Sequence, residues 1–243
     1  MILVIDIGNT SIKLAAVEDY KIISHHRTTQ QNFIEDCTSL LNQFKQIKNA
    51  AFCQVGKFDQ RLYNQLQNLV TIFKIGNTIK LPFKNLYQST TLGNDRLALV
   101  AGAISKTKYD KGALIIDAGT CVTYDYIDPS LNYHGGAISP GLRLRYESLH
   151  NFTANLPLLT AQTIESFIGD STQSSIHSGV INGLTQEIEG CIRQYRKKNK
   201  GIQIFITGGD AQLLSTQLKS RFFATPFLML IGIYHLYQFN KNL

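Results

Sequence analysis

Two stretches of this chain repeat one order of residues. ILVIDIGNTSIKLAAVE, starting at Ile2, runs from an apolar stretch through an Asp and a Gly-containing turn into a second alternating stretch, and ALIIDAGTCVTYDYID, starting at Ala113, does the same. Each reads as strand, tight turn, strand. Asp6 and Asp117 fall at equivalent places, followed by Gly8 and Gly119 and then by Thr10 and Thr120. Such a duplication limits the fold severely, because it calls for two similar halves facing each other across a cleft.

The repeat continues beyond the hairpins. In the first half, residues 21–28 fit a third strand. Residues 32–44 have helical spacing, with Phe33, Cys37, Leu40, Leu41 and Phe44 on one face. Residues 50–55 read as a short apolar strand, 62–69 as a helix, and 94–106 as a further helix. In the second half, 131–138 fits a third strand, 141–150 a helix and 172–196 a long helix. Residues 202–206 form a strand that ends in TGGDA and leads into another helix, and 226–239 are the last helix. Repeated βββ-helix-β units of this kind make mixed sheets covered by helices. The expected fold class is therefore α/β, with halves 1–111 and 112–243 and a boundary at YDKG, residues 109–112.

Composition removes several alternatives. A chain of 243 residues with 44% hydrophobic and 17% charged residues is ordinary globular protein. The longest apolar stretch near the end, residues 227–233, is far short of the roughly 20 residues a bilayer requires. The start, MILVIDIGNT, has neither the basic lead nor the uninterrupted apolar run of a signal peptide, so the expected location is the cytoplasm. Cys37, Cys53, Cys121 and Cys191 form no CxxC or zinc spacing, and reduced thiols are expected. The net charge of +7 suits anionic ligands. Its one dense run, RQYRKKNK at 193–200, reads as the solvated C-terminal end of a helix, where basic residues complement the macrodipole. No nucleic-acid-binding signature accompanies it, and a nucleic-acid partner is not expected. The six scattered histidines and the stripe Tyr234, Tyr237 and Phe239 read as structural.

Three motifs carry chemistry. DIGNTSIK comprises Asp6, Ile7, Gly8, Asn9, Thr10, Ser11, Ile12 and Lys13. A hairpin that binds phosphate needs Gly for close backbone approach, amides turned to the anion, and hydroxyls and a cation as further donors. Asp6 at the strand end has the chemistry to orient hydrated Mg²⁺. An Asp–Gly hairpin turn with no ligand has the same composition, but a second copy, DAGTCVTYD, in a matching place weakens that reading. In ITGGDA, Gly208 and Gly209 allow a flat group such as adenosine to lie on the backbone; the plain alternative is a strand–helix junction with Asp210 as N-cap. Neither a P-loop nor a GxGxxG fingerprint is present, so phosphates fall to the paired hairpins.

With these elements the sequence resembles the acetate and sugar kinase/Hsp70/actin superfamily. Further residues narrow the resemblance: Gly93-Asn94-Asp95-Arg96 heading a helix with Ala101-Gly102-Ala103 inside it, GGAISPG at 135–141, Leu149, Thr153, Leu156-Pro157, and STQSSIHSGVING at 171–183. Together with DIGNT, DAGTCVTYD and TGGDA, and in this order over nearly the whole chain, they resemble type III pantothenate kinase. The resemblance implies two duplicated ribonuclease H-like, actin-like ATPase domains with an ATP cleft between them. It also implies ATP-dependent phosphorylation of pantothenate, the entry step to coenzyme A. Residues 6–13 would bind the ATP phosphates, Thr120 would touch ATP, and Gly208 and Gly209 would take the adenosine. Gly93, Asn94, Asp95 and Arg96 would hold pantothenate, with Asp95 as the catalytic base. Tyr87 is the candidate for a substrate-contacting tyrosine, although it stands one residue closer to Gly93 than the family pattern. Asp117 would bind a monovalent cation, K⁺ or NH₄⁺, and Asp6 would serve Mg²⁺, through water if not directly. Thr172 matches a pantothenate contact supplied by the second subunit of a homodimer, which would bring Ile176, Val180 and Leu184 to a two-fold interface. Cys121 replaces a small residue, with no loss of chemistry expected.

Read from residue type alone, Asp95 beside Arg96 fits a proton acceptor next to a cation for an acidic substrate. It equally fits a helix cap paired with its neighbour. Two other functions remain open: a kinase for another small hydroxy acid or sugar, and a non-catalytic ATP-binding regulatory accessory protein.

Overall fold

The structure, a computed structural model, describes residues 1–76, 78–89, 91–107, 111–164 and 166–241. It divides into two compact units: Met1–Thr107, Leu131–Tyr133 and Phe227–Leu243 form one, and Lys108–Ser130 with His134–Pro226 the other. The sequence-based boundary falls partly on Tyr109 and Asp110, which lie outside the described residues.

In the first unit the elements are β1 (Ile2–Ile7), β2 (Ile12–Glu18), β3 (Lys21–Thr28), α1 (Phe33–Gln43), β4 (Asn49–Gln54), α2 (Gln60–Gln67), β5 (Thr71–Lys74), β6 (Lys84–Asn85) and α3 (Asn94–Ile104), closed by α7 (Leu228–Lys241). The sheet order is β3-β2-β1-β4-β5. β1 is central and buried along its whole length, which explains its nearly unbroken apolar run. β3 lies at the edge and alternates in exposure. On α1 the predicted face holds: Phe33, Cys37 and Leu40 are buried, with Leu41 and Phe44 packed against the same core.

The second unit contains β7 (Ala113–Ala118), β8 (Cys121–Ile127), β9 (Asn132–Pro140), α4 (Leu142–Asn151), α5 (Thr172–Lys198), β10 (Gln203–Thr207), α6 (Ala211–Ser215) and β11 (Phe223–Ala224). Its strands are ordered β11-β10-β7-β8-β9, the same succession as β5-β4-β1-β2-β3. β1 and β7 each pair antiparallel with the next strand and parallel with β4 and β10 respectively. The first residues of β9, Asn132 and Tyr133, belong to the first unit and pair with β6 there. The duplication read from two hairpins thus extends to whole sheets.

Two expectations need correction. The sequence puts the C-terminal helix in the second half, but α7 groups with the first unit, where it packs on α3. Nothing larger than glycine fits at the crossing, since a Cβ on Gly232 would lie 1.7 Å from the Ala98 carbonyl oxygen. Tyr234 and Tyr237 of this helix are buried in that unit. Second, Ile176, Val180 and Leu184 do not face outward toward a partner. They are buried in the core of the second unit with Ile181, Ile188 and Ile192, because α5 turns its apolar stripe onto its own sheet.

α5 starts with a capping box between Ser171 and Ser174 and ends in Arg196, Lys197 and Lys198. Part of the basic run is used locally: Arg196 donates to the Arg221 carbonyl at 2.6 Å, and the Lys198 ammonium sits 5.1 Å from the Tyr126 ring centre. The short strands β5, β6 and β11 escape the sequence reading because two to four residues carry too little periodicity. Among the described residues no helix is long and apolar enough to cross a membrane.

Candidate active site

The first hairpin joins β1 to β2. Register places Lys13 directly across from Asp6, and the ammonium meets the Asp6 carboxylate at 2.9 Å. Asp6 is 4% exposed, so this carboxylate is buried with its cation beside it. The turn is closed by Gly8 N–H donating to the Ser11 carbonyl at 3.1 Å, which leaves Asn9 and Thr10 exposed at the tip. Ile7 and Ile12 are buried in the core of the unit. Of the predicted phosphate-binding stretch they can therefore offer only backbone groups.

α3 starts in the same unit. Asn94 donates from Nδ2 to the Gln54 carbonyl at 3.3 Å, which ties the start of α3 to the end of β4. The Asp95 carboxylate accepts the Arg96 backbone N–H at 2.8 Å. Burial pushes the Asp95 pKa above the ordinary aspartate value and the nearby charge of Asp6 adds to this, while the Arg96 amide bond and guanidinium pull the other way. Arg96 is itself buried, and its guanidinium lies over the Tyr87 ring at 5.3 Å. Tyr87 in turn stands beside Tyr133 with ring centres 6.2 Å apart. The tyrosine that sequence spacing left uncertain is thus brought to Arg96. An acid with a raised pKa beside a buried guanidinium can accept a proton next to an anionic group.

The second hairpin, between β7 and β8, is built to the same plan. Gly119 N–H donates to the Cys121 carbonyl at 3.0 Å, and the Thr120 carbonyl accepts from Gly141 N–H at 3.1 Å. Asp117 and Thr120 are both half-buried. Asp117 lies opposite Thr123 on β8 and Thr207 on β10. Gly208 has a φ of +100°, and a Cβ there would meet the Ala118 carbonyl oxygen at 2.3 Å and Asp117 Oδ1 at 2.5 Å. Glycine is therefore required where β10 passes the hairpin. At Gly209 a Cβ would meet nothing within 4 Å, which leaves that backbone open. Asp210, the plain alternative as a helix cap, makes no side-chain capping bond; burial raises its pKa. Cys121 is half-buried, and all four cysteines are free thiols.

The GGAISPG stretch is anchored by Glu187 of α5, which accepts from Ser139, Tyr124 and Arg145, while Arg145 also binds the Pro140 carbonyl. Thr172 is the first residue of α5 and is exposed. Sequence reasoning missed the segment just after β4. Val55 and Gly56 N–H groups both donate to the Ile7 carbonyl, at 2.9 and 3.1 Å, and Cys53 pairs in register with Asp6. Burial and then the charges of Asp6 and Asp95 push the Cys53 thiol well above its usual pKa, so it is neutral. The signal available was a strand ending in QVG, which parallels the TGG ending of the second half.

The model of the type III pantothenate kinase family matches residues 2–194. A type III pantothenate kinase of Flavobacterium psychrophilum is 46% identical over 242 residues, 99% of this chain and all of that one. One from Christiangramia forsetii is 44% identical over the full length of both. A solved Baf family protein from Campylobacter jejuni superposes with a TM-score of 0.66 at 20% identity, covering 99% of this chain and 100% of its own, and this likeness shows the fold. Two mixed sheets, each flanked by helices and laid out in the same strand order, make the two-domain actin-like architecture that the resemblance implied. The chain belongs to the type III pantothenate kinase family.

Proposed function

We propose that this protein transfers the γ-phosphoryl group of ATP to the primary hydroxyl of pantothenate, giving 4'-phosphopantothenate and ADP in the cytoplasm. The observation that carries this reading is the arrangement in the first unit. A half-buried acid with a raised pKa, Asp95, and a buried guanidinium, Arg96, are tied through β4 to the hairpin of Asp6 and Lys13. Asp95 accepts the hydroxyl proton as the oxygen attacks the γ-phosphorus, and the bond to the β–γ bridging oxygen breaks to release ADP. Arg96 binds the carboxylate of pantothenate, with Gly93, Asn94 and Tyr87 completing its contacts. Amides and hydroxyls of Gly8, Asn9, Thr10 and Ser11, with the Lys13 ammonium, hold the phosphates. Thr120 and the backbone of Gly208 and Gly209 hold the rest of the nucleotide.

A divalent ion on ATP needs little from the protein, since Mg²⁺ keeps several waters and takes only one or two carboxylates. The oxygen ligand Asp6 offers at the end of β1 fits that demand. Bound there, Mg²⁺ would neutralise charge on the β- and γ-phosphates. For Asp117 we assign a monovalent cation, K⁺ or NH₄⁺, because the residue opposite it in register is the neutral Thr123 where the first hairpin has Lys13.

We also assign a homodimer in which Thr172 completes the partner's pantothenate site. The support is an exposed apolar stretch before Thr172: Phe152 is 86% exposed, Phe167 73% and Ile168 80%. This surface replaces the buried stripe of α5 as the expected interface. Release of ADP coupled to a detectable reaction, with and without pantothenate, tests the proposal. Turnover with a different hydroxy acid or sugar in place of pantothenate would change the substrate. ATP binding with no turnover on any of them would favour a regulatory protein.

A further inference from the structure

We infer that the segment just after β4, residues 53–56, is a brace that sets the distance between the phosphate hairpin and the base, and that Gly56 is its positioning residue. The inference rests on the kinase reading above and adds an element to that site. On one side the brace holds the hairpin: the Val55 and Gly56 amides converge on the Ile7 carbonyl at 2.9 and 3.1 Å. On the other side the Gln54 carbonyl accepts from Asn94, one residue before Asp95. The Gln54 side chain closes the segment on itself through the Gly56 carbonyl at 3.2 Å. One short stretch of backbone thus touches both the turn that takes phosphate and the helix start that takes the proton.

Gly56 is where the brace and the hairpin come closest. A Cβ there would lie 2.3 Å from the Gly8 carbonyl oxygen, 2.8 Å from its carbon and 3.2 Å from the Asn9 Cα. These are backbone atoms of the hairpin, so no rotamer change relieves the overlap, and the turn must retreat by about 1 Å. The second unit has the same device: a Cβ on Gly208, after β10, would lie 2.3 Å from the Ala118 carbonyl oxygen of its own hairpin. In both units the strand parallel to the first hairpin strand leaves the sheet with a glycine against the hairpin. Gly208 belongs to a recognised nucleotide motif, whereas Gly56 has been assigned no role.

The test compares wild type, Gly56→Ala, Gln54→Ala and Gly76→Ala. A Cβ at Gly76 meets nothing within 4 Å, so this variant is the control. Three measurements are made on each: the melting temperature, binding of a non-hydrolysable ATP analogue with Mg²⁺ by calorimetry, and kcat and KM for both substrates. A misplacement of about 1 Å in a phosphoryl-transfer site costs on the order of 100-fold in rate, so kcat of Gly56→Ala falls by about that factor and the analogue binds more weakly. Gln54→Ala loses one side-chain bond, keeps the carbonyl that Asn94 uses, and slows turnover about threefold. The control stays at wild-type values. If Gly56→Ala melts lower but binds the analogue and turns over like wild type, the brace is only structural and the inference is overturned. If that variant does not fold, unchanged kcat and analogue affinity in Gln54→Ala overturn it instead. A wild type that binds the analogue but ignores pantothenate removes the substrate reading alone, and the variants' nucleotide affinities still decide the brace. A wild type that does not bind the analogue overturns both.

Discussion

The two hairpins share a plan and differ in two details that separate their jobs. Between paired residues Ile7 and Ile12 the first turn has four residues, and between Ala118 and Val122 the second has three. The extra residue makes a wider tip, with Asn9 and Thr10 in solvent, whereas Gly119 and Thr120 stay half-buried. Across from the hairpin Asp stands Lys13 in one copy and Thr123 in the other. The first copy therefore carries its own cation and an open set of donors, as a binder of the transferred phosphate should. The second presents a carboxylate opposite a neutral hydroxyl and suits an exchangeable ion. One turn plan thus carries two different cross-strand partners, and the proposed base, Asp95, stands in the first unit at the start of α3.

The sharpest test of that division is Asp95→Asn. Asn keeps the shape and the bond from the Arg96 amide but cannot accept a proton, so kcat should fall by about 10²–10⁴-fold. Stability should hold or rise slightly. Because the pKa of Asp95 is raised on folding, the native state binds more protons than the unfolded chain between the unfolded and folded pKa values. Stability is then lost as pH rises through that window, a cost of ionising a half-buried carboxyl that Asn does not bear. Activity runs the opposite way. kcat/KM should rise with pH through an apparent pKa above that of ordinary aspartate, and this limb should vanish in the residual activity of the variant. A melting curve and a pH–rate profile on one preparation check both. If Asp95 were only a cap, the variant would melt like wild type and turn over normally.

Next in size is the cross-strand contrast. Lys13→Ala leaves the buried Asp6 carboxylate without its ammonium. Since Lys13 is partly exposed and its pairing screened, the expected loss is about 1–3 kcal/mol of stability. Loss of a charged contact to phosphate should also raise the KM for ATP by about 10–100-fold. Thr123→Val, at the matching position, loses a 3.2 Å bond to Asp125. It should cost about 1 kcal/mol and leave the KM for ATP near wild type. Equal effects on ATP binding would erase the distinction between the hairpins.

Asp117 supplies a third and smaller effect. Turnover should be low in sodium or Tris buffer and recover with potassium, and Asp117→Asn should flatten that response, with a loss of about tenfold at saturating potassium. Rates that are the same in all three buffers would remove the ion from the second hairpin and leave Asp117 a structural role beside Gly208.

The sheets are legible in the sequence because each half carries one long apolar strand followed by a Gly turn, and that pattern survives without tertiary information. Asp95 and Arg96 are legible as a pair of charges, but the burial of Arg96 is not, since a charge at the start of an apolar helix is expected in solvent. The place of α7 is not legible: its apolar stripe fits either unit, and only the glycine crossing near Ala98 decides. The stripe of α5 reads as an interface for the same reason, as periodicity reports that a face is covered and not by what. Gly56 is invisible because a lone glycine after a strand says nothing until the neighbouring carbonyl is in place.

The smallest contrast concerns the residues that close the two turns. Ser11 and Cys121 do the same backbone work, each offering its carbonyl to the glycine amide of its hairpin. Ala at either site keeps that bond, so neither change should alter stability by more than about 0.5 kcal/mol. Their side chains differ. The Ser11 hydroxyl is a donor beside the exposed tip of the wider turn, and a hydrogen bond to a charged phosphate contributes about 1.5–3 kcal/mol. Ser11→Ala should therefore raise the KM for ATP by about tenfold, the lower end of that range, with kcat falling less. The Cys121 thiol is a weak donor on the hairpin to which we assign the ion, and Cys121→Ala should leave kcat and both KM values within about twofold. If Cys121→Ala weakens ATP binding as much as Ser11→Ala does, the shorter turn also grips phosphate. The hairpins would then be a symmetric clamp, and the extra residue at the first tip would need another explanation.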